Sequence, residues 1–322
     1  MKTSADSRSR NRPEPEHEFR HEALFYAGLD GFVEGTSAFV KEGLEAEEPT
    51  LVLAGARKLA ALRADLGADA DLVEFADMDG IGLNPARIIP AWVDFLARSA
   101  PDGRRVRGIG EPIGSDRSSD ELVECQRHES LLNVAFADSP GWWLLCPYDV
   151  GELSNDVLDE ARRSHPYAWQ DGVHTDSSTY RDLETAAMPF DVPLSARPDS
   201  DQLIILDVSN LHHIRDVVGR AARTHGLDEA RTADLVLSVN EVAGNSLRHS
   251  GGSGSLRIWS ADRMLICEIE DSGRIDKPLA GRERPLTDRE SGFGLWLVNQ
   301  LCDLVQVRTF EQGTVIRLHM AA

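Results

Sequence analysis

The chain has 322 residues, a formal net charge of −20, 41% hydrophobic and 27% charged residues. That length and balance suit two soluble globular domains, and the acidic excess argues against direct binding to nucleic-acid phosphates. No apolar run approaches the ~20 residues that span a bilayer, so no membrane association is expected. Residues 1–17 are polar and mixed in charge, without the apolar core of a secretory signal. They read as a disordered tail, and the chain as cytoplasmic. Cys125, Cys146, Cys267 and Cys302 are scattered with no CxxC pair, so the spacing indicates neither a zinc nor a redox motif; they read as buried thiols. The one basic cluster, Arg104-Arg105-Val106-Arg107, is flanked by Asp102 and Glu111 and reads as a solvated turn.

In chain order, Ala23–Tyr26 reads as a strand and Asp30–Glu45 as a helix. Thr50–Ala54 is a buried strand, Lys58–Leu66 a helix, Val73–Phe75 a short strand, and Ala86–Ser99 a helix started by Asn84-Pro85. Arg105–Ile109 reads as a strand and Asp120–Phe136 as an amphipathic helix with Leu122, Val123, Leu131, Leu132 and Phe136 on its apolar side. Trp142–Cys146 is a strand ended by Pro147-Tyr148-Asp149, and Asp156–Arg163 a helix stopped at His165-Pro166-Tyr167. This alternation predicts an α/β sandwich with a mostly parallel sheet covered on both faces. Phosphate would bind beyond the carboxyl ends of its strands. The loop Ala54-Gly55-Ala56-Arg57-Lys58 lacks the second glycine and the Lys-Ser/Thr pair of a P-loop, so no ATP hydrolysis is expected there. His21, His128 and His165 can bind a ligand or metal but read first as partly buried hydrogen-bonding residues, and Trp92, Trp142, Trp143 and Trp169 can line an apolar pocket but read first as core packing.

His21–Tyr26, Phe39–Leu44, the strand and loop at Thr50–Lys58, Cys146-Pro147-Tyr148-Asp149 and His165-Pro166 together resemble the DcmR-like sensory (MEDS) family. The resemblance covers residues 18–182. It implies a fold related to P-loop ATPases that have lost the loop, and a small-molecule ligand.

From Ala168 to Asp201 the composition turns to that of a linker, with Asp171-Gly172, Asp176-Ser177-Ser178, Pro189, Pro193 and Pro198; the linker proper is set at 183–200. Ile204–Leu206 then reads as a strand, Asn210–Thr224 as a helix ended by Gly226, and a helix from Asp228 runs to His249. Leu256–Trp259 and Leu265–Glu270 alternate like antiparallel strands. Leu295–Leu304 reads as a helix, and Val305–Phe310 with Thr314–His319 as a closing hairpin. Residues 201–322 are thus expected to form a second α/β sandwich, its sheet largely antiparallel or mixed.

Four pieces of that second unit carry chemistry in a fixed order. Glu241 and Asn245 are four apart and share one helix face. Asn245 can offer an oxygen to Mg²⁺, and Glu241 can orient or deprotonate a nucleophile. Asp271-Ser272-Gly273 ends a strand; its carboxylate can accept from an exocyclic amine, and Gly273 allows close approach. Gly292-Phe293-Gly294-Leu295 opens a helix whose N–H groups can hold phosphate oxygens. Gly313-Thr314 lies in the last hairpin. Singly, each has a plainer reading as a solvated helix face, a strand-ending turn or a hairpin glycine.

As an ordered set they resemble the N, G1 and G2 boxes and closing Gly-Thr of the GHKL (Bergerat) ATPases, over residues 195–322. Within that superfamily, Glu241, Asn245, Arg248 and His249 match the anti-sigma-factor serine kinases. The resemblance implies ATP and Mg²⁺ as cofactors, Glu241 as catalytic base and Asn245 as Mg²⁺ ligand. It further implies Asp271 and Gly273 as adenine contacts, Gly292, Gly294 and Leu295 as the phosphate loop, and Thr314 as support for the adenine contact. The partners it implies are an anti-sigma factor antagonist of STAS type or a sigma factor. A homodimer is compatible with this reading. One departure is Ile275, where many members carry a second glycine; its loss is expected to stiffen the lid and weaken turnover. Arg282, Arg284 and Arg289 in the lid can reach phosphates or stay solvated. Two alternatives stand beside the kinase: a non-catalytic ATP-binding module that sequesters a sigma factor or antagonist, and a sensor histidine kinase. The last lacks a dimerising helix pair before the ATPase unit, and His212-His213 fall inside that unit.

Overall fold

A computed structural model describes residues 18–322 apart from 140, 184, 186–189, 191, 199–201, 251–253, 262 and 286–291. Its first sheet holds β1 (Arg20–Tyr26), β2 (Thr50–Ala54), β3 (Glu74–Asp77), β4 (Val106–Gly110), β5 (Trp142–Asp149), β6 (Tyr167–Gln170) and β7 (Val173–Asp176). The strand order is β3-β2-β4-β5-β1-β6-β7, parallel except for β7. Alternate residues feed two cores, as the pleat requires. Ala23 and Phe25 of β1, with Trp142, Leu144, Cys146 and Tyr148 of β5, face α4 (Ile88–Ser99), α5 (Ser119–Ala135) and α6 (Asn155–Ser164). Leu24, Tyr26, Trp143 and Leu145 face α1 (Gly28–Glu45) and α2 (Ala56–Leu66). A four-residue α3 (Met78–Ile81) follows β3. Each large apolar side chain buried in this way contributes about 1.5–3 kcal/mol.

Three local expectations need correction. Pro147 does not end β5. It sits inside the strand, where β4 has already run out at Ile109↔Leu145, so its missing N–H orphans no partner on that side. Residues 167–176, linker-like in composition from Ala168 on, form a hairpin on the edge of the first sheet, within the 18–182 unit. Asp171 and Gly172 both have positive φ, +51° and +76°, as the tight two-residue turn between twisted strands demands. Finally, α5 is not simply amphipathic. Glu124, His128, Glu129 and Asn133 are as buried as Leu131 and Leu132, so the helix is enclosed on several sides. Its start is fixed by a capping box between Ser118 and Glu121.

The second sheet contains β8 (Gln202–Leu206), β9 (Gly254–Ala261), β10 (Met264–Asp271), β11 (Leu304–Phe310) and β12 (Gly313–Ala321). It is antiparallel throughout, in the order β11-β12-β10-β9-β8. Three helices, α7 (Leu211–His225), α8 (Glu229–His249) and α9 (Phe293–Leu301), cover one face. Gly226 stops α7 in the left-handed region at φ +102°, and the Asp228 carboxylate caps α8 by accepting from the N–H of Arg231 at 2.8 Å. Leu265, Cys267 and Ile269 of β10, with Ile316, Leu318 and Met320 of β12, form the apolar core under these helices.

The opposite face is polar yet buried: Glu268, Gln306, Arg308, Arg317 and His319 are all at most 5% exposed. Two segments cover it. Residues 193–198 lie across it, with Arg317 donating to the Ser195 hydroxyl (2.8 Å) and carbonyl (3.0 Å), and Arg197 pairing with Glu268 at 3.2 Å. Helix α5 of the first unit supplies Glu124, whose carboxylate meets Arg308 at 2.7 Å and Arg282 at 3.3 Å, all three buried. Beside it, Arg127 donates to the carbonyl of Val307 at 2.6 Å. The two units are therefore joined through a dehydrated ionic contact rather than tethered by a free linker.

Two stability predictions follow from this geometry. Glu124→Ala leaves two buried guanidinium groups without their carboxylate and is expected to cost about 3–5 kcal/mol. Glu124→Gln should cost less, and urea denaturation followed by tryptophan fluorescence measures both. At Gly313, φ is +146° and an added Cβ would stand 1.9 Å from the Asp271 carbonyl oxygen. Gly313→Ala is expected to cost about 3 kcal/mol or more; a melting temperature equal to that of the parent would contradict the packing.

Candidate functional site

Helix α8 presents Glu241 and Asn245 on the side that faces the start of α9. A Cβ on Gly294 would lie 2.8 Å from Asn245 Nδ2 and 3.3 Å from Glu241 Oε2, so a glycine there lets the two helices meet. Gly292 caps α9 in the left-handed region, φ +106°. Phe293 and Gly294 follow in the first turn, where helix N–H groups have no intrahelical partner.

β10 delivers the third piece. Asp271 ends that strand opposite Thr314 of β12. Its Oδ1 accepts the N–H of Gly273 at 2.6 Å, and the Thr314 hydroxyl donates to the Gly273 carbonyl at 2.8 Å. Ser272 donates to the Ser250 carbonyl at 3.0 Å, which ties the turn to the end of α8. The carboxylate of Asp271 is thus fixed by the turn it initiates and by the glycine-borne start of β12.

Glu241, Asn245, Asp271, Gly273, Gly292, Gly294, Leu295 and Thr314 all line one cavity of about 1020 Å³. The eight come from four chain segments spread over more than seventy residues, and the fold brings every one of them to the same opening. The walls mix charges: Glu241, Asp271, Asp94 and Glu283 against Arg248, Arg274, Lys277 and Arg284. Four glycines line the wall, Gly273, Gly281, Gly292 and Gly294; at Gly273, Gly281 and Gly294 a Cβ would meet neighbouring protein atoms within 3 Å, so these glycines let the wall's own segments close on one another. The Asn245 oxygen accepts from Arg248, an exposed side chain. A hard cation at that oxygen requires Arg248 to turn outward, at the modest cost of breaking one exposed contact. The donor set therefore fits Mg²⁺ on a nucleotide, with Asn245 as the protein's oxygen.

Lid residues divide. Arg282 does not meet the cavity; it turns away into the contact with Glu124, where burial lowers its guanidinium to about 10 while the Glu124 carboxylate pulls the other way. Arg284 lines the cavity and lies 3.6 Å from Asp94. Arg289 falls outside the described residues. Ile275, in place of the glycine, lines the cavity and packs on the second core. Its backbone needs no glycine, since positive φ at non-glycine residues occurs, among the described residues, only at Glu47, Asp171 and Arg263.

Sequence reasoning missed one wall. Pro90, Val93 and Asp94 of α4, from the first unit, complete the cavity. No local signal marks them, because their role arises from how the two units pack. Behind that wall, Asn84 donates to Asn299 Oδ1 (3.1 Å), and Arg87 donates to the carbonyls of Asn299 (2.9 Å) and Cys302 (2.7 Å) at the far end of α9. In the first unit, Lys58 is committed to Glu111 and to the Tyr26 hydroxyl, each at 2.7 Å, at the strand ends where a P-loop would hold phosphate. Trp92 and Trp142 are fully buried in packing. No helix among the described residues is long and apolar enough to cross a membrane.

Comparison with known proteins agrees with this division. Residues 20–166 match the family described as MEDS: MEthanogen/methylotroph, DcmR Sensory domain, and residues 205–320 match the Histidine kinase-like ATPase domain. No curated protein matches the chain. Among solved structures, the RsbU and RsbW domains of Rv1364c from Mycobacterium tuberculosis align at 17% identity with a TM-score of 0.30, over 38% of this chain and 33% of that one. The match spans about a third of that chain, and a likeness so weak leaves the site to be argued from its own residues. The chain carries a MEDS sensory domain at its N-terminal end and a histidine kinase-like ATPase domain at its C-terminal end.

Proposed function

We propose that the C-terminal domain binds ATP and transfers its γ-phosphate to a serine or threonine of an anti-sigma factor antagonist, under control of a small-molecule-sensing N-terminal domain. The observation that carries this reading is the convergence of Glu241, Asn245, Asp271, Gly273, Gly292, Gly294, Leu295 and Thr314 on one cavity. The Asp271 carboxylate accepts from the exocyclic amine of adenine, held in place by Gly273 and Thr314. N–H groups at the start of α9 receive phosphate oxygens. Mg²⁺, when bound through Asn245, offsets phosphate charge. Glu241 takes the proton of the partner's hydroxyl while that oxygen bonds to the γ-phosphorus and the bond to the leaving ADP oxygen breaks.

A second reading has its own support: a nucleotide-binding module that sequesters a sigma factor or antagonist without phosphorylating it. Ile275 in place of a glycine favours a site that binds more readily than it turns over. A sensor histidine kinase is disfavoured, because His212 and His213 lie exposed on α7, on the ATPase domain itself and away from the cavity walls.

Control by the first domain has a physical route. α4 forms part of the cavity wall, while Asn84 and Arg87 grip the carbonyl end of α9, whose other end faces the cavity. A ligand that favours one placement of the first domain then shifts nucleotide affinity by its differential affinity for the two placements.

Calorimetry with Mg·ATP is expected to show binding to the parent chain and at least tenfold weaker binding to Asn245→Ala, about 1.4 kcal/mol. No heat from the parent chain would remove both readings. Incubation with labelled ATP and an antagonist protein separates them. Transfer that falls about 10²–10⁴-fold in Glu241→Ala, with ATP affinity little changed, supports the kinase; stable complex formation without label transfer supports the module.

A further inference from the structure

Inside the first domain, away from the nucleotide cavity, four side chains meet in the core. His21 comes from β1, Glu129 from α5, Cys146 from β5 and His165 from the residue that closes α6. All four are at most 1% exposed. One nitrogen, sulfur or oxygen from each lies within 4.8 Å of all the others.

The imidazoles are oriented from behind. His165 Nδ1 lies 2.8 Å from the Ala161 carbonyl, which can only accept, so Nδ1 carries a proton and in the neutral ring Nε2 is bare. His21 Nδ1 lies 3.1 Å from Asn133 Oδ1; the amide's direction is fixed because its Nδ2 donates to the Ser164 carbonyl at 2.7 Å. In the neutral ring, His21 Nε2 is bare as well. Both bare nitrogens point at Glu129 Oε2, each 3.3 Å away, and His21 Nε2 is 3.3 Å from Cys146 Sγ. Neither oxygen of Glu129 nor Nε2 of His165 has a hydrogen-bond partner among the described residues. Lone pairs of two imidazoles and a carboxylate thus converge in a dry interior, where unsatisfied acceptors are costly.

We propose that His21, Glu129, Cys146 and His165 form a buried tetrahedral site for a divalent transition metal, with Zn²⁺ the best match. Two nitrogens, one sulfur and one oxygen are a borderline-soft donor set. Three of the six separations, at 3.3 Å, match the short edges of a tetrahedron whose metal–ligand bonds are about 2.0–2.3 Å, and the others lie within 4.8 Å, so the ligands draw together on binding. Binding forms the metal–sulfur bond as the Cys146 proton leaves to solvent. The dication is then balanced by one thiolate and one carboxylate, so the buried site carries no net charge. Hydrogen bonds from each Nδ1 are the outer contacts that metal-bound imidazoles normally have. Four protein ligands leave no open position, which makes the site structural. It ties together two adjacent central strands and the two helices over them.

The full chain, expressed in zinc-supplemented medium, is expected to hold about one zinc per molecule by elemental mass spectrometry. Refolding with Co²⁺ should give visible bands of tetrahedral cobalt and a near-ultraviolet thiolate-to-cobalt band. Cys146→Ser should abolish the thiolate band, while Cys125→Ser, which alters a buried thiol outside the cluster, should keep it. If Cys146→Ser fails to fold, the parent's cobalt spectrum and metal content decide alone. A folded parent chain without metal, which also takes up neither Zn²⁺ nor Co²⁺ on refolding, would overturn the proposal. That result would mean that protons on the cluster's own side chains satisfy these acceptors instead. Thiolate bands that survive in Cys146→Ser would overturn it equally.

Discussion

The contact between Glu124 and Arg308 commits the two domains to each other. Both side chains are 1% exposed, and Arg282 joins the same carboxylate from the lid. Removing such ions from water costs several kcal/mol each unless they meet a partner of good geometry. The outer face of the second sheet, with Gln306, Arg308, Arg317 and His319, is polar enough to be solvated but is not solvated. It exists to be covered, by α5 on one side and by residues 193–198 on the other. A second domain cut from the chain would expose this face and lose the carboxylate that neutralises it.

That commitment shapes the nucleotide cavity. The loop after Asp271 is held at its middle: Leu279 packs on the first domain's core, Arg282 is bound to Glu124, and the Gly281 carbonyl accepts from Asn299 at 2.9 Å. Asn299 in turn accepts from Asn84 of the first domain. The lid is therefore not an appendage of the ATPase domain alone. Its base is shared, and one cavity wall is the first domain's α4. The placement of the first domain is written into the shape of the site.

Much of this was legible in the sequence, and the exceptions have physical causes. Long periodic elements such as α1 and α8 were recognisable because one face is apolar. The four pieces that converge on one cavity stood out because glycines and a strand-ending Asp stand in a fixed order along the chain. The hairpin at 167–176 was hidden, since Tyr-Ala-Trp-Gln and Val-His-Thr-Asp are short, largely exposed strands that no alternation reveals. α5 misled in another way. Its buried face includes Glu124, His128, Glu129 and Asn133, which are polar because they answer polar groups elsewhere in the fold. Scattered cysteines spoke against a metal motif, yet Cys146 meets His21, Glu129 and His165 through strand order and helix packing, a proximity that spacing along the chain does not encode.

α5 is where these threads join. Glu124 and Glu129 are five residues and about 7.5 Å of helix rise apart, and about 140° apart around the axis. One therefore faces the second domain while the other faces β1 and β5. The regular backbone hydrogen bonds of an α-helix fix these two faces relative to one another. Whatever fixes Glu129 against the two central strands thus also fixes Glu124 and Arg127 against Arg308 and the Val307 carbonyl. The same carboxylate that meets Arg308 also meets Arg282 of the loop after Asp271, so α5, the second sheet and that loop share one buried ionic contact. The polar residues that spoil the helix's amphipathic pattern are the ones that place it in contact with both domains at once.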